Sequence, residues 1–293
     1  MQGFATYHPA ALFVYFLSAA ALTMFTQNPL LLLLSFLGAA ALYGIIKGWR
    51  ALVRGLLFYL LFMSALALVN PLFNRQGDTV LLCVGSIPVT LESLLYGFSV
   101  GLMLAAVMLW FAGFSALMTA ECFLYLFGGP FPRLAFLLSA AMRFVPLLSR
   151  QAGRIRDAQK AMGLYAAGGA RGRLRQAARS FTALLTWSME NAVDTADSME
   201  ARGYGLAGGS RFSRRRARSR DILLLSISVL GLLGGVVALV RSTAAITYFP
   251  SLVWPAPSVR IHILYLLWLL FFFCPCILEG RERIHWRILQ SKI

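Results

Sequence analysis

Six apolar runs, at about 11–26, 29–46, 51–69, 92–118, 222–240 and 260–278, constrain this chain more than any other feature. A helix of roughly 17 to 25 apolar residues is long enough to cross about 30 Å of hydrocarbon. With 59% of 293 residues hydrophobic, 13% charged and a mean hydropathy of +0.73, no soluble core could absorb these side chains. The expected fold is an all-α polytopic membrane protein with about six transmembrane helices. Only Gln27, Asn28 and Pro29 separate the first two runs, a tight turn in which proline suits the first turn of the next helix. The first run lacks a basic stretch before it and a small-residue cleavage site after it, so it reads as a retained helix and not a signal peptide.

Charge supplies the orientation. Alternating the loops between two sides places Lys47, Arg50, Arg54, the stretch 119–220 and the tail 279–293 together. Of the 27 Lys and Arg residues, only Arg75, Arg241 and Arg260 stay opposite. The positive-inside rule then puts both termini and the long stretch in the cytoplasm. The chain divides into membrane helices at 1–118, a cytoplasmic region between helices 4 and 5 at 119–220, and membrane helices with a basic tail at 221–293. A net charge of +16 invites nucleic acid as a partner. However, Arg214, Arg215, Arg216, Arg218 and Arg220 directly precede the fifth membrane helix, where anionic lipid headgroups account for them. No aromatic residues are interleaved with that run as a base-stacking platform requires, so no nucleic-acid partner is expected.

What the helices lack is informative. Ion-coupled carriers keep ionisable groups inside the membrane, whereas here Glu92 and Glu121 lie at helix edges and His8, His262 and His285 near interfaces. There is no Gly-x-x-x-x-Gly-Lys-Ser/Thr loop to cradle a nucleotide and no connected nucleophile, base and acid constellation. Cys83, Cys122, Cys274 and Cys276 lack metal-ligand spacing and read as small apolar side chains, with acylation beside the membrane as the alternative for Cys274 and Cys276. The chain is expected to be no enzyme and to bind no cofactor or metal itself. Between the third and fourth runs, Thr79 to Val84, Gly85-Ser86 and Ile87 to Thr90 read as a short hairpin or re-entrant cap. Thr90 is placed to cap the next helix, with Glu92 in its first turn.

Residues 119–220 are too apolar for a free linker and too charged for the bilayer. Leu134, Phe136, Leu137, Met142, Phe144, Val145, Leu147 and Leu148 describe a strongly apolar helix at or under the membrane interface, bent or ended by Pro146. Leu148, Gln151, Ile155, Ala158 and Met162 share one face of its continuation, and Gly163 closes it. A second helix is expected from about Leu174 to Arg202, ending at Ala201-Arg202-Gly203, with Phe181, Leu184 and Leu185 available for packing. Ala170-Arg171-Gly172 reads as a connector before it. An imperfect repeat relates the two: Asp157, Ala161, Gly163, Ala167, Gly168, Gly169, Arg171 and Arg175 recur 40 residues later as Asp197, Ala201, Gly203, Ala207, Gly208, Gly209, Arg211 and Arg215. Two similar helix ends suit a chain that grips two similar partners.

His8-Pro9, Asn28-Pro29-Leu30, Arg143-Phe144-Val145-Pro146, Asp157-Ala158-Gln159 and above all Ser198 to Tyr204 give this chain its family likeness. It resembles the transmembrane T component of energy-coupling factor transporters, ATP-binding-cassette importers of vitamins and metal ions. The resemblance implies a bacterial or archaeal plasma membrane and two cytoplasmic ATPase subunits, which bind the ATP and Mg. It also implies a separate membrane subunit, the S component, that binds substrate. It implies that Ala201, Arg202 and Gly203 dock one ATPase and Ala161, Met162 and Gly163 the other. Leu134, Leu137, Phe144, Leu148, Phe181 and Leu185 would form the platform for the substrate-binding subunit. The chain departs from the pattern at Met162, where the family has Arg. That departure makes the first contact a greasier one or hands its charge to Lys160. Two apolar runs, not one, follow the second motif. The rival readings are a stand-alone secondary transporter, which calls for intramembrane charges or broken helices in two halves, and a membrane scaffold without ATPase partners.

Overall fold

The computed structural model describes residues 7–74, 77–84, 87–128, 131–164, 169–206, 218–241, 246–249, 251–255 and 258–290. Proline opens the first two helices. In α1 (Pro9–Phe25) the His8 Nδ1 accepts the Ala10 N–H at 3.2 Å, and in α2 (Pro29–Lys47) the Asn28 Oδ1 accepts the Leu30 N–H at 3.0 Å. The N–H that proline lacks would have had no partner within the helix. Two of the family-like motifs are therefore helix caps. α3 (Trp49–Phe73) follows directly after Gly48, and the antiparallel pair β1 (Val80–Val84) and β2 (Ile87–Thr90) leads to α4 (Leu91–Leu117). The Thr90 Oγ1 accepts the Ser93 N–H at 3.4 Å as the sequence suggests, and buried Glu92 accepts from the Thr79 hydroxyl at 2.7 Å, tying the hairpin to α4. The Gly85-Ser86 turn lies outside the described residues. Then come α5 (Ala120–Phe127), α6 (Pro132–Ala161), α7 (Ala170–Ala201), α8 (Ser219–Val240) and α9 (Val259–Gln290).

The chain separates into two compact units, Met1–Phe123 with Arg215–Ile293, and Leu124–Arg214. At the centre of the first, Trp110 is 1% exposed. It packs edge-on to Tyr15 and Phe16 and donates from Nε1 to the Ser35 Oγ at 2.9 Å. Pro275 stands inside α9 and cannot bond the Phe271 carbonyl one turn back. The fully buried Tyr15 hydroxyl donates there instead, at 3.3 Å. α9 accordingly runs on to Gln290, well beyond the apolar run that ends near 278. One carboxylate joins the starts of two helices: Asp221 accepts the His8 N–H on Oδ1 and the Arg218 N–H on Oδ2, both at 2.8 Å. Elsewhere the Tyr248 hydroxyl links the Gln27 carbonyl at 2.7 Å with the Ser99 hydroxyl at 2.9 Å. Burial pushes the Tyr248 phenol above its ordinary value.

Six helices are long and apolar enough to cross a membrane: α2, α3, α4, α6, α8 and α9 as far as Gly280. The sequence analysis differs at two places. α1 is expected to span, and it has only 17 residues. α6 is expected outside the bilayer, and it qualifies because its first half, Leu134 to Leu148, is apolar. The second half of α6 carries Arg150, Arg154, Arg156, Asp157 and Lys160.

Candidate functional site: two matched helix ends

α6 and α7 close in the same way. At the end of α6 the Gly163 N–H reaches the Lys160 carbonyl at 3.0 Å and the Leu164 N–H the Gln159 carbonyl at 3.1 Å. At the end of α7 the Gly203 N–H reaches the Glu200 carbonyl at 2.9 Å and the Tyr204 N–H the Met199 carbonyl at 3.0 Å. Both are Schellman closures, which need a residue at positive φ. Gly163 supplies it at 72° and Gly203 at 83°. In each case the residue before the glycine, Met162 or Arg202, is the cap, and it stands exposed. Ala161, Gly163, Ala201 and Arg202 are all open to solvent, while Gly203 is partly covered by Leu206. Met162, where the family has Arg, is 65% exposed, a bare apolar side chain at a helix tip.

The two helices lie antiparallel. Leu164 and Gln159, near the end of α6, meet Gln176 and Ser180, near the start of α7: the Gln176 Nε2 donates to the Leu164 carbonyl at 3.4 Å and the Ser180 Oγ to the Gln159 Oε1 at 2.8 Å. At the far end, the Phe136 ring near the start of α6 meets the Tyr204 ring beyond the end of α7, with centroids 5.0 Å apart. These contacts obey the 40-residue repeat. The offset turns Leu164 into Tyr204, and its reverse turns Gln176 into Phe136, so the contact at one end of the pair is the counterpart of the contact at the other. An antiparallel pair with equivalent ends is related to itself by an approximate two-fold axis. The sequence repeat is thus a repeat of structure, with its two closures at opposite ends of one hairpin of helices.

Of the platform residues, Leu134, Leu137, Phe181 and Leu185 are exposed, whereas Phe144 and Leu148 are partly buried. Phe181, Leu185, Met189 and Val193 form an exposed row at every fourth position of α7. The last two continue the line of the expected platform residues Phe181 and Leu185, and their i, i+4 spacing was legible in the sequence. Gln159, in the family-like Asp157-Ala158-Gln159, is the one residue described as buried in either helix. Two expectations need correction. Ala170-Arg171-Gly172 is no connector but the first turn of α7, because Gly169 at φ 95° already redirects the chain and its carbonyl accepts the Arg173 N–H. Pro146 does not end α6, whose cost at that point is one missing backbone N–H. The repeat positions Ala167, Gly168, Ala207, Gly208, Gly209, Arg211 and Arg215 lie outside the described residues. No group of three His, Cys, Asp or Glu side chains able to hold a metal ion occurs among the described residues.

The profile of the cobalt transport protein family, CbiQ, matches residues 8–213, a span that includes both helix ends. The chain belongs to that family. Its relatives include the energy-coupling factor transporter transmembrane protein EcfT of Exiguobacterium sibiricum, 36% identical over 107 residues, which are 36% of this chain and 41% of that one. The EcfT of Listeria innocua is 38% identical over 104 residues, 34% of this chain and 39% of that protein. Against these two the chain therefore aligns with about two fifths of the relative's length. The EcfT of Streptococcus thermophilus is 29% identical over 231 residues, 73% of this chain and 81% of its own. These names agree with the likeness to the T component of energy-coupling factor transporters carried by Ser198 to Tyr204. The family match ends at residue 213, before α8 and α9 begin.

Proposed function

We propose that this chain is the coupling subunit of an energy-coupling factor importer, carrying the motion of two cytoplasmic ATPases to a separate substrate-binding membrane subunit for vitamin or metal-ion uptake. The observation that carries the reading is the approximate two-fold relation of the α6–α7 pair, with one Schellman closure at each end. Two nucleotide-binding subunits that close on each other are related by a two-fold axis, and a hairpin with equivalent ends presents one end to each. ATP and Mg belong to those partners, and this chain is the non-catalytic member. Arg202 extends five donors from one tip and Met162 an apolar side chain from the other. Closing the ATPase pair shifts both tips together, and the hairpin passes between discrete arrangements. The exposed row on α7, with Leu134 and Leu137 of α6, receives the substrate-binding subunit. In this reading both termini and the hairpin face the cytoplasm of a bacterial or archaeal cell.

The test is affinity purification in mild detergent of the wild-type chain and of Arg202→Glu, with the co-purifying subunits identified by mass spectrometry. Recovery of ATPase subunits and a small membrane protein with the wild type, and loss of ATPase with the variant, is the expected result. A folded wild-type chain that brings down no ATPase would overturn the reading.

A further inference from the structure

Within the first unit, α8 packs chiefly along α1 and α9 chiefly along α2, so the last two helices meet each other over a short stretch. Leu22 of α1 and the facing residues of α8 and α9 line a cavity of about 510 Å³ between them. The lining is leucine, isoleucine, glycine and phenylalanine with one tryptophan and one cysteine, and it includes no charged side chain. Water finds no hydrogen-bond partners in such a space. Nor does the hydrophobic effect pull α8 and α9 together across it, because lipid tails are as apolar as the helices.

The length and the ends of the groove identify its occupant. The lining runs from Leu223 to Gly235 on α8 and from Leu278 back to Leu264 on α9, stretches of about 18 and about 21 Å at the helical rise. One end coincides with the edge of the apolar segments: Leu223 follows Arg220, Asp221 and Ile222, and Leu278 is the last apolar residue before Glu279. The other end stops five residues short of Val240 on α8 and of Val259 on α9. The groove thus starts at headgroup level and stops a little beyond the middle of about 30 Å of hydrocarbon. That suits one acyl chain from one leaflet, whereas a helix crossing the bilayer would overrun it. Arg218 and Arg220 stand exposed at the headgroup end, directly after Arg214, Arg215 and Arg216 in the sequence. In the wall, a Cβ on Gly231 would strike the Phe271 ring and one on Gly235 the Leu22 side chain, so close packing accounts for both glycines. A Cβ on Gly234 would meet nothing within 4 Å, and that glycine lines open groove.

We infer that the groove between α8 and α9 is a binding site for an anionic phospholipid, with one acyl chain seated along it and the phosphate against Arg218 and Arg220. The lipid comes from the leaflet that those arginines face, the cytoplasmic one in the orientation proposed above. Acidic lipids are concentrated by arginines that immediately precede a membrane helix, and the groove adds a place that holds one of them by its tail. A chain lying there supplies the contacts that α8 and α9 do not make with each other.

The experiment reconstitutes the full chain, with the subunits that co-purify with it, into phosphatidylcholine vesicles containing a minor share of phosphatidylglycerol. Either one lipid or the other carries bromine on its acyl chains, and the emission of Trp268, which lines the groove, is read as the difference between wild type and Trp268→Phe. Bromine on phosphatidylglycerol is expected to quench that emission severalfold more, per brominated molecule, than bromine on phosphatidylcholine. Gly234→Leu, whose side chain enters the groove where nothing stands within 4 Å, should abolish the preference. Arg218→Gln with Arg220→Gln should abolish it as well while leaving the groove open, so that quenching by phosphatidylcholine persists. Equal quenching by the two lipids in the wild type would overturn the inference, because the groove then samples the bulk bilayer. No quenching by either, the result expected if a partner's helix fills the groove, would overturn it too, as would a preference that survives in both variants. ATPase recovery with the wild type is scored separately: its absence would overturn the coupling role and leave the lipid site standing.

Discussion

The two units of this chain are both built of helices and differ in what covers them. In the first, α1, α2, α4 and α9 bury Trp110, Tyr15, Leu109 and Phe272 almost completely, and hydroxyls such as those of Tyr15 and Ser35 satisfy polar groups that the packing would otherwise strand. In the second, α6 and α7 touch along one seam, bury Gln159 and leave Phe181, Leu185, Met189 and Val193 bare. The first unit contains its own reasons for being ordered. The second is a pair of long helices with little core of its own, which suits the moving role proposed for it above.

Substitutions at the two ends of this comparison should behave oppositely. Trp110→Ala removes the largest buried side chain and leaves the Ser35 hydroxyl without its donor; a loss of about 3 kcal/mol or more is expected, read as a collapse of the thermal midpoint in detergent. Survival at the wild-type midpoint would mean that this core does not hold the unit together. Next come two glycine-to-alanine changes of opposite sign. A Cβ on Gly38 of α2 would stand 2.9 Å from the Phe272 Cβ and 3.1 Å from its carbonyl oxygen, so Gly38→Ala should cost about 1 to 3 kcal/mol. A Cβ on Gly153 of α6 meets nothing within 4 Å, so Gly153→Ala should be neutral or should stabilise the helix by up to about 1 kcal/mol. Equal melting shifts for the pair would erase the distinction between the units.

Smaller effects sharpen it. Tyr15→Phe keeps the ring and deletes the hydroxyl that serves the Phe271 carbonyl, for an expected loss of about 1 kcal/mol. A midpoint unchanged by it would show that the carbonyl beside Pro275 needs no partner. Phe181→Ser, on the bare row of α7, should leave the midpoint within about 0.5 kcal/mol of wild type and reduce recovery of the substrate-binding subunit. Retained recovery would move the platform to another surface.

Much of this was legible in the residues because the signals are local. Apolar runs give the spans, Pro9 and Pro29 after a capping side chain give helix starts, and Gly163 and Gly203 give helix ends. Contacts distant in sequence were not legible. Nothing in the sequence around Gln159 announces that it will be buried against Ser180, or that Tyr204 will find Phe136. Ala170-Arg171-Gly172 misled because an arginine and a glycine in a glycine-rich stretch look like a loop, while the residue that turns the chain is Gly169 just before them. The repeat itself was visible as spacing. That it means an antiparallel pair with a two-fold relation depends on which helix faces pack, and spacing does not encode that.

Asp221 bears on how many times the chain crosses the membrane. Because the cap residues of α1 and α8 share that one carboxylate, the two helices begin on the same face of the bilayer. An even number of crossings must lie between them. With the 17-residue α1 counted at the lower limit of spanning length, α1 to α4 make four, and α5, with 8 residues or about 12 Å, makes none. Any crossing by α6 therefore requires a return crossing by α7, and α7 bears Arg173, Arg175, Arg179, Glu190, Asp194, Asp197 and Glu200 and is not apolar enough to span. A crossing by α6 alone would break that parity, although its own length and hydropathy allow one.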